Sequence, residues 1–98
     1  MFEIIDSDSE RTFILKKSGD SFQLNLLEEK INEFIKNDDR DLVLDLADLS
    51  LLDSSSLAAY IRFKRKLKAT GRTMKLINYN ESILRVIELS GLDDFLLD

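Results

Sequence analysis

Cysteine, histidine and proline are absent from the sequence, and glycine occurs only three times. Without cysteine the chain cannot form disulfides, zinc–thiolate sites, iron–sulfur clusters or a thiol nucleophile. Without histidine it lacks the commonest general base and the usual activator of a nucleophilic serine. We therefore expect no catalytic residues, no cofactor and no enzymatic activity.

Long apolar runs are missing as well. No stretch approaches the ~20 consecutive apolar residues that a membrane-spanning helix needs, and residues 1–6 lack the basic flank and apolar core of a signal peptide. We therefore expect a cytoplasmic protein with no membrane span. The length of 98 residues and the hydrophobic content of 44% suit one domain over residues 1–98.

The net charge of −5 argues against general nucleic-acid binding, because phosphate backbones are bound mainly by clustered lysine and arginine. Residues 62–75 nevertheless contain half of the 14 basic residues and no acidic residue. The simplest interpretation is the solvated face of one helix. A contact surface for an acidic protein partner, or a nucleic-acid or membrane footprint, remains the alternative.

The spacing of apolar residues predicts the order strand, strand, helix, strand, helix, strand, helix. The predicted strands are 2–5, 12–17, 42–46 (covered on both faces) and 73–78, with a candidate at 95–97; the predicted helices follow Gly19, span 55–68 and run from a cap at Asn80 to Gly91. Lys64 and Lys68 fall in the apolar arc of the second helix, and we expect both to extend to solvent. Repeated βαβ units predict an α/β fold with a mixed, largely parallel sheet of about four to five strands, covered by three or more helices.

The densest group of chemically usable side chains lies between the 42–46 strand and the second helix, in the segment 45–57. This position lies beyond the carboxyl end of a parallel strand, where functional groups gather. We expect Asp53, Ser54 or Ser55 to cap the helix. A phosphate on a serine here would be stabilised by exposed N–H groups and the helix dipole, and its roughly −1.5 to −2 charges could expel a partner.

Asp45, Asp48 and Asp53 allow a different hypothesis, because hard cations prefer carboxylate ligands. They could hold Mg²⁺ in a small phosphate-handling enzyme. The sequence offers no general base, oxyanion donors or phosphate-binding loop to complete such a site. We therefore keep this as the less favoured alternative and expect no metal site.

Leu42-Val43-Leu44-Asp45-Leu46, a spacer and then Leu51-Leu52-Asp53-Ser54-Ser55-Ser56-Leu57 resemble the core motif of the STAS domain family, which includes bacterial anti-sigma factor antagonists. The family's other marks have counterparts in Asp20, Ala69-Thr70-Gly71 and Leu89-Ser90-Gly91-Leu92. The resemblance covers roughly residues 12–97.

This resemblance implies a STAS-like domain that acts by partner switching. In the family, the unphosphorylated antagonist binds an anti-sigma factor, often a serine kinase of the histidine-kinase-like ATPase fold. Serine phosphorylation, reversed by a phosphatase, breaks the complex. The motif assigns the phosphate to Ser55, with Ser54 as the alternative, and partner contacts to Asp20, Asp53, Ser54, Ser55 and Ser56, together with the basic helix that follows.

Ser56 stands where the family usually has glycine. A side chain at this position could crowd a kinase or impede a backbone conformation that is open to glycine. The alternative function is therefore a STAS adaptor that is not phosphorylated, such as an accessory subunit of a lipid transport system or of a signalling assembly.

Overall fold

The computed structural model describes residues 2–16 and 21–97, except for the side chains of 21–23. It contains β1 (Phe2–Asp6), β2 (Glu10–Leu15), α1 (Ser21–Asn37), β3 (Asp41–Asp45), α2 (Ser54–Ala69), β4 (Met74–Ile77), α3 (Glu81–Leu89) and α4 (Asp93–Leu96). The strands lie in the order β1-β2-β3-β4. Strand β1 is antiparallel to β2, whereas β2, β3 and β4 are parallel. The predicted mixed α/β fold is therefore confirmed.

The core lies on one face of the sheet. Phe13, Leu44 and Leu76 are aligned across β2, β3 and β4 and are all buried. The apolar stripes of the helices pack on them, which explains the helical spacing of the hydrophobic residues. Val43 points to the other face and is only 4% exposed, although it is not part of the core cluster. Strand β3 is thus buried on both sides, as its continuous apolar sequence predicts.

The prediction of a last strand at 95–97 is wrong, because this region contains the short helix α4. Gly91 adopts a φ of +71°, and the N–H of Leu92 donates to the carbonyl of Ile87, which ends α3. The chain then turns back and buries Leu96 in the core. A short apolar run is ambiguous between strand and helix, and acidic residues in the first turn favour the helix.

Lys64 also differs from its prediction, because its side chain is 1% exposed and does not reach solvent. Its ammonium group lies 5.8 Å from the centre of the Phe95 ring, and that of Lys68 lies 5.2 Å from the same ring. Lys68 remains exposed, as expected. Helix α4 therefore covers the lysine that an isolated amphipathic α2 would expose.

None of the helices in the described part of the chain combines the length and the apolar composition that crossing a membrane requires.

Candidate functional site

The predicted helix cap is Asp53, at the end of the loop that connects β3 to α2. Its backbone is extended (φ −88°, ψ 169°), and its carboxylate Oδ1 accepts the N–H of Ser56 at 2.7 Å. Its carbonyl accepts the N–H of Leu57 at 3.0 Å. One acidic side chain therefore satisfies the helix start, and the serine hydroxyls are not needed as caps.

The three consecutive serines of α2 have different surroundings. Ser54 and Ser55 are exposed, whereas Ser56 is half-buried and lies one helical turn before Tyr60. Tyr60 is 1% exposed, and its pKa is raised first by burial and then by the nearby charge of Asp53. The nearby Ser56 side chain lowers this pKa, and its effect is the smallest of the three. Ser54 and Ser55 are thus the more accessible of the three serines to a second protein.

Asp45 connects the ends of two neighbouring strands. Its Oδ1 accepts the N–H of Ala47 at 3.0 Å and the side-chain amide of Asn78 at 3.2 Å. Asn78 has a φ of +59°, a left-handed conformation that asparagine tolerates better than most residues. Asp45 thus bonds within this corner, whereas Asp53 caps α2. Within residues 2–16 and 21–97, no group of three acidic residues is arranged to hold a metal ion, so the structure does not support the Mg²⁺ hypothesis.

Asn80 has two roles, of which the sequence predicts only one. Its Oδ1 accepts the N–H of Ile83 at 2.8 Å, which confirms the predicted cap of α3. Its Nδ2 also donates to the carbonyls of Leu49 and Ser50, each at 3.2 Å. The start of α3 therefore holds the loop that leads to the serines. Sequence gives no signal for this second role, because the acceptors are backbone atoms about thirty positions away.

Two adjacent leucines in the loop of residues 46–53 point in different directions. Leu52 is 8% exposed and belongs to the core, whereas Leu51 is 78% exposed. Exposed acidic side chains surround Leu51 in the sequence, with Asp48 before it and Asp53 after it, and Asn80 brings Glu81 to the same loop. Residues 41–61 and 76–84 contain no lysine or arginine. The described surface at this end of the sheet is therefore acidic and carries one prominent apolar side chain.

Lys16 is the cation whose pKa reflects this acidic end. Its pKa is raised first by a hydrogen bond with Glu3 and by the charge of that residue, and to a smaller extent by Asp48 and Asp45. Lys16 and Glu3 are paired at 3.0 Å. This cation is therefore already engaged within the chain.

Most of the basic residues of the segment 62–75 contact other parts of this chain. Arg62 pairs with Glu28, and the ammonium of Lys66 donates to the side chain of Asn32 at 3.0 Å. Lys64 and Lys68 lie against Phe95, and the Arg72 guanidinium donates to backbone carbonyls at the end of α1. Because Arg62, Lys66 and Lys68 remain exposed despite these contacts, the partner role of this segment stays a prediction. Asp20, predicted as a further contact residue, lies outside the described residues.

Comparison with known proteins identifies a shared domain. The sequence model of the STAS domain matches residues 7–97. The anti-sigma-B factor antagonist of Bacillus subtilis (strain 168) is 32% identical over 56 residues, which are 57% of this chain and 51% of that relative. The match therefore spans only about half of the relative's length.

Solved structures of anti-sigma factor antagonists have the same fold. The unphosphorylated form of SpoIIAA superposes with a TM-score of 0.85 and 21% identity, covering 100% of this chain and 87% of that one. The phosphorylated form of the Bacillus protein SpoIIAA gives 0.79 and 21%, covering 100% and 90%. An antagonist from Mycobacterium paratuberculosis gives 0.81 and 22%, covering 98% and 81%. At these identities the likeness establishes the fold.

Proposed function

The chain belongs to the STAS domain family, and on that premise we propose that it is a cytoplasmic anti-sigma factor antagonist that acts by partner switching. In its unphosphorylated form it binds an anti-sigma factor that is also a serine kinase of the ATPase fold. Phosphorylation at Ser55, or at Ser54 as the alternative, releases this partner, and a serine phosphatase restores binding. The chain itself carries out no catalysis.

The observation that carries this proposal is the exposure of the Ser54 and Ser55 hydroxyls at a helix start that Asp53 already caps. Neither hydroxyl is required to satisfy the backbone there, so each is available to a kinase. A phosphate at this position lies at the positive end of the α2 dipole and is tolerated by the fold. It also adds charge to a surface that is already acidic, which changes what that surface can bind.

Ser56 at the family's glycine position is compatible with this switch. It lies within α2, so its backbone is helical, a conformation that any residue adopts. Its side chain is half-buried, whereas that of Ser55 is exposed. The Ser56 side chain therefore leaves Ser55 accessible, and the adaptor that is not phosphorylated remains the alternative.

The test is affinity capture from the native cells with the wild-type chain, Ser55→Asp and Ser54→Asp as baits. Ser9→Asp is the matched control, because Ser9 is exposed and its carbonyl bonds Asp41, at the opposite end of β3. We expect wild type and Ser9→Asp to capture an ATPase-fold kinase or another anti-sigma factor, and the substitution at the switch serine to lose it. Equal capture by all four baits would favour the adaptor.

A further inference from the structure

Among the described residues, the leucine side chains with the largest exposed fractions are those of Leu51, at 78%, and Leu89, at 81%. A single exposed leucine is common on protein surfaces and needs no explanation by itself. Leu51 differs from Leu89 in its position, because it belongs to the loop between β3 and α2, whereas Leu89 is the last residue of α3. It also lies two residues before Asp53, the cap of the proposed switch helix.

The loop around Leu51 is held by contacts on both sides of this residue. Before it, Asn80 donates to the carbonyls of Leu49 and Ser50, and the N–H of Leu49 donates to the carbonyl of Leu46 at 3.1 Å. After it, Leu52 is buried in the core and Asp53 caps α2. The outward position of Leu51 therefore costs little further ordering when a partner binds, and this preorganisation favours affinity.

The charges around Leu51 indicate what kind of surface it meets. Asp48 and Asp53 lie on either side of it in the sequence and are exposed, and the exposed Glu81 follows Asn80, which bonds this loop. No lysine or arginine occurs in residues 41–61 or 76–84. An apolar side chain surrounded by carboxylates is complementary to an apolar pocket bordered by lysine or arginine. Most basic side chains of segment 62–75 already contact other parts of this chain, which favours a different protein over a second copy as the source of that border.

From these observations we propose that Leu51 is the apolar anchor of the partner-binding surface, that Asn80 holds it in position, and that it enters a pocket on the partner bordered by basic residues. This inference rests on the proposed function and names a contact and a partner chemistry for it. Asn80 is a positioning residue, since it acts on the partner only through the loop.

The first experiment measures the affinity of the purified captured partner for the full chain and for Leu51→Ala, by isothermal titration calorimetry. Truncating a central apolar anchor should weaken binding at least about tenfold. Leu89→Ala is the matched control, with equal exposure but a position about 12 Å along α3 from Glu81, and it should stay within about twofold of wild type. Thermal unfolding of each variant checks that the fold is unchanged.

A second variant separates the two roles of Asn80. The substitution Asn80→Ser retains a side-chain oxygen that caps α3 but removes both donors to the loop. Binding should weaken while the unfolding transition of the chain changes little. Raising the NaCl concentration should weaken the wild-type complex, because salt screens the complementary charges.

The outcomes distinguish this proposal from the proposed function. If Leu51→Ala binds as wild type does while Ser55→Asp does not, the anchor is wrong and the switch stands. If Leu51→Ala fails to bind while Ser55→Asp binds normally, the anchor stands and the switch is wrong. If the affinity for the partner does not depend on the NaCl concentration, the proposed basic border of the pocket is wrong. If Leu51→Ala loses self-association but still binds the partner, the occupant of the surface is a second copy of the chain. A wild-type chain that captures no partner overturns both proposals.

Discussion

Tyr60, a buried residue of α2, should make stability depend on alkaline pH. Burial raises the pKa of its phenol in the folded state, so above about pH 10 the unfolded chain loses this proton first. The contribution of the protonated Tyr60 phenol to the free energy of unfolding is therefore complete below about pH 10. Above that pH, the free energy of unfolding falls by up to about 1.4 kcal/mol per pH unit. Tyr60→Phe should lack this component, whereas lysine titration is common to both proteins. Equal slopes for the two proteins between pH 9 and 11 would show that Tyr60 ionises normally.

Arg72 bonds the end of α1 and the segment that follows it, at the end of the sheet opposite the serines. Its guanidinium donates to the carbonyls of Ile35, Asp38 and Arg40, and so satisfies the end of α1 from the connection between α2 and β4. Together with Arg11 and Arg40 it also lies within 6 Å of the Phe34 ring centre. The planar group reaches several acceptors at once, which a lysine ammonium does not.

We therefore expect Arg72→Lys to lower the unfolding free energy by about 2 kcal/mol, since partly buried carbonyls lose charged donors. Arg65→Lys is the control, because Arg65 is an exposed residue of α2 and a surface substitution of this kind changes stability by less than about 0.5 kcal/mol. Urea denaturation of both variants measures the difference. An Arg72→Lys protein as stable as the control would mean that the three bonds contribute little.

Helices α1 and α2 are joined by polar contacts across their exposed faces. Arg62 pairs with Glu28 and Lys66 bonds Asn32, so acidic α1 is matched by basic α2. Because Arg62 is half-exposed, such a pair is worth at most about 1 kcal/mol. Part of the charge asymmetry of the sequence thus serves contacts between α1 and α2, which the order of residues 62–75 alone could not reveal.

For the whole molecule, hydrophobic periodicity was sufficient to predict the order of the main elements, because each helix and strand buries one regular face in a single core. The prediction from periodicity failed at 95–97, because the four residues of α4 are too few to show a helical period. It also failed at Lys64, because α4 covers this side chain. The family motif located the serines. Sequence could not tell that Leu52 turns inward and Leu51 outward, since two adjacent leucines are equally apolar and only the three-dimensional path of the loop separates them.

The most direct test of the partner switch is the affinity of the purified partner for the unmodified chain and for the chain phosphorylated at Ser55, with the modified position verified by mass spectrometry. A phosphate beside Asp53 in a surface that must pack closely against the partner should weaken binding by at least about 100-fold. A chain phosphorylated at this serine that binds within about twofold of the unmodified one would contradict the switch.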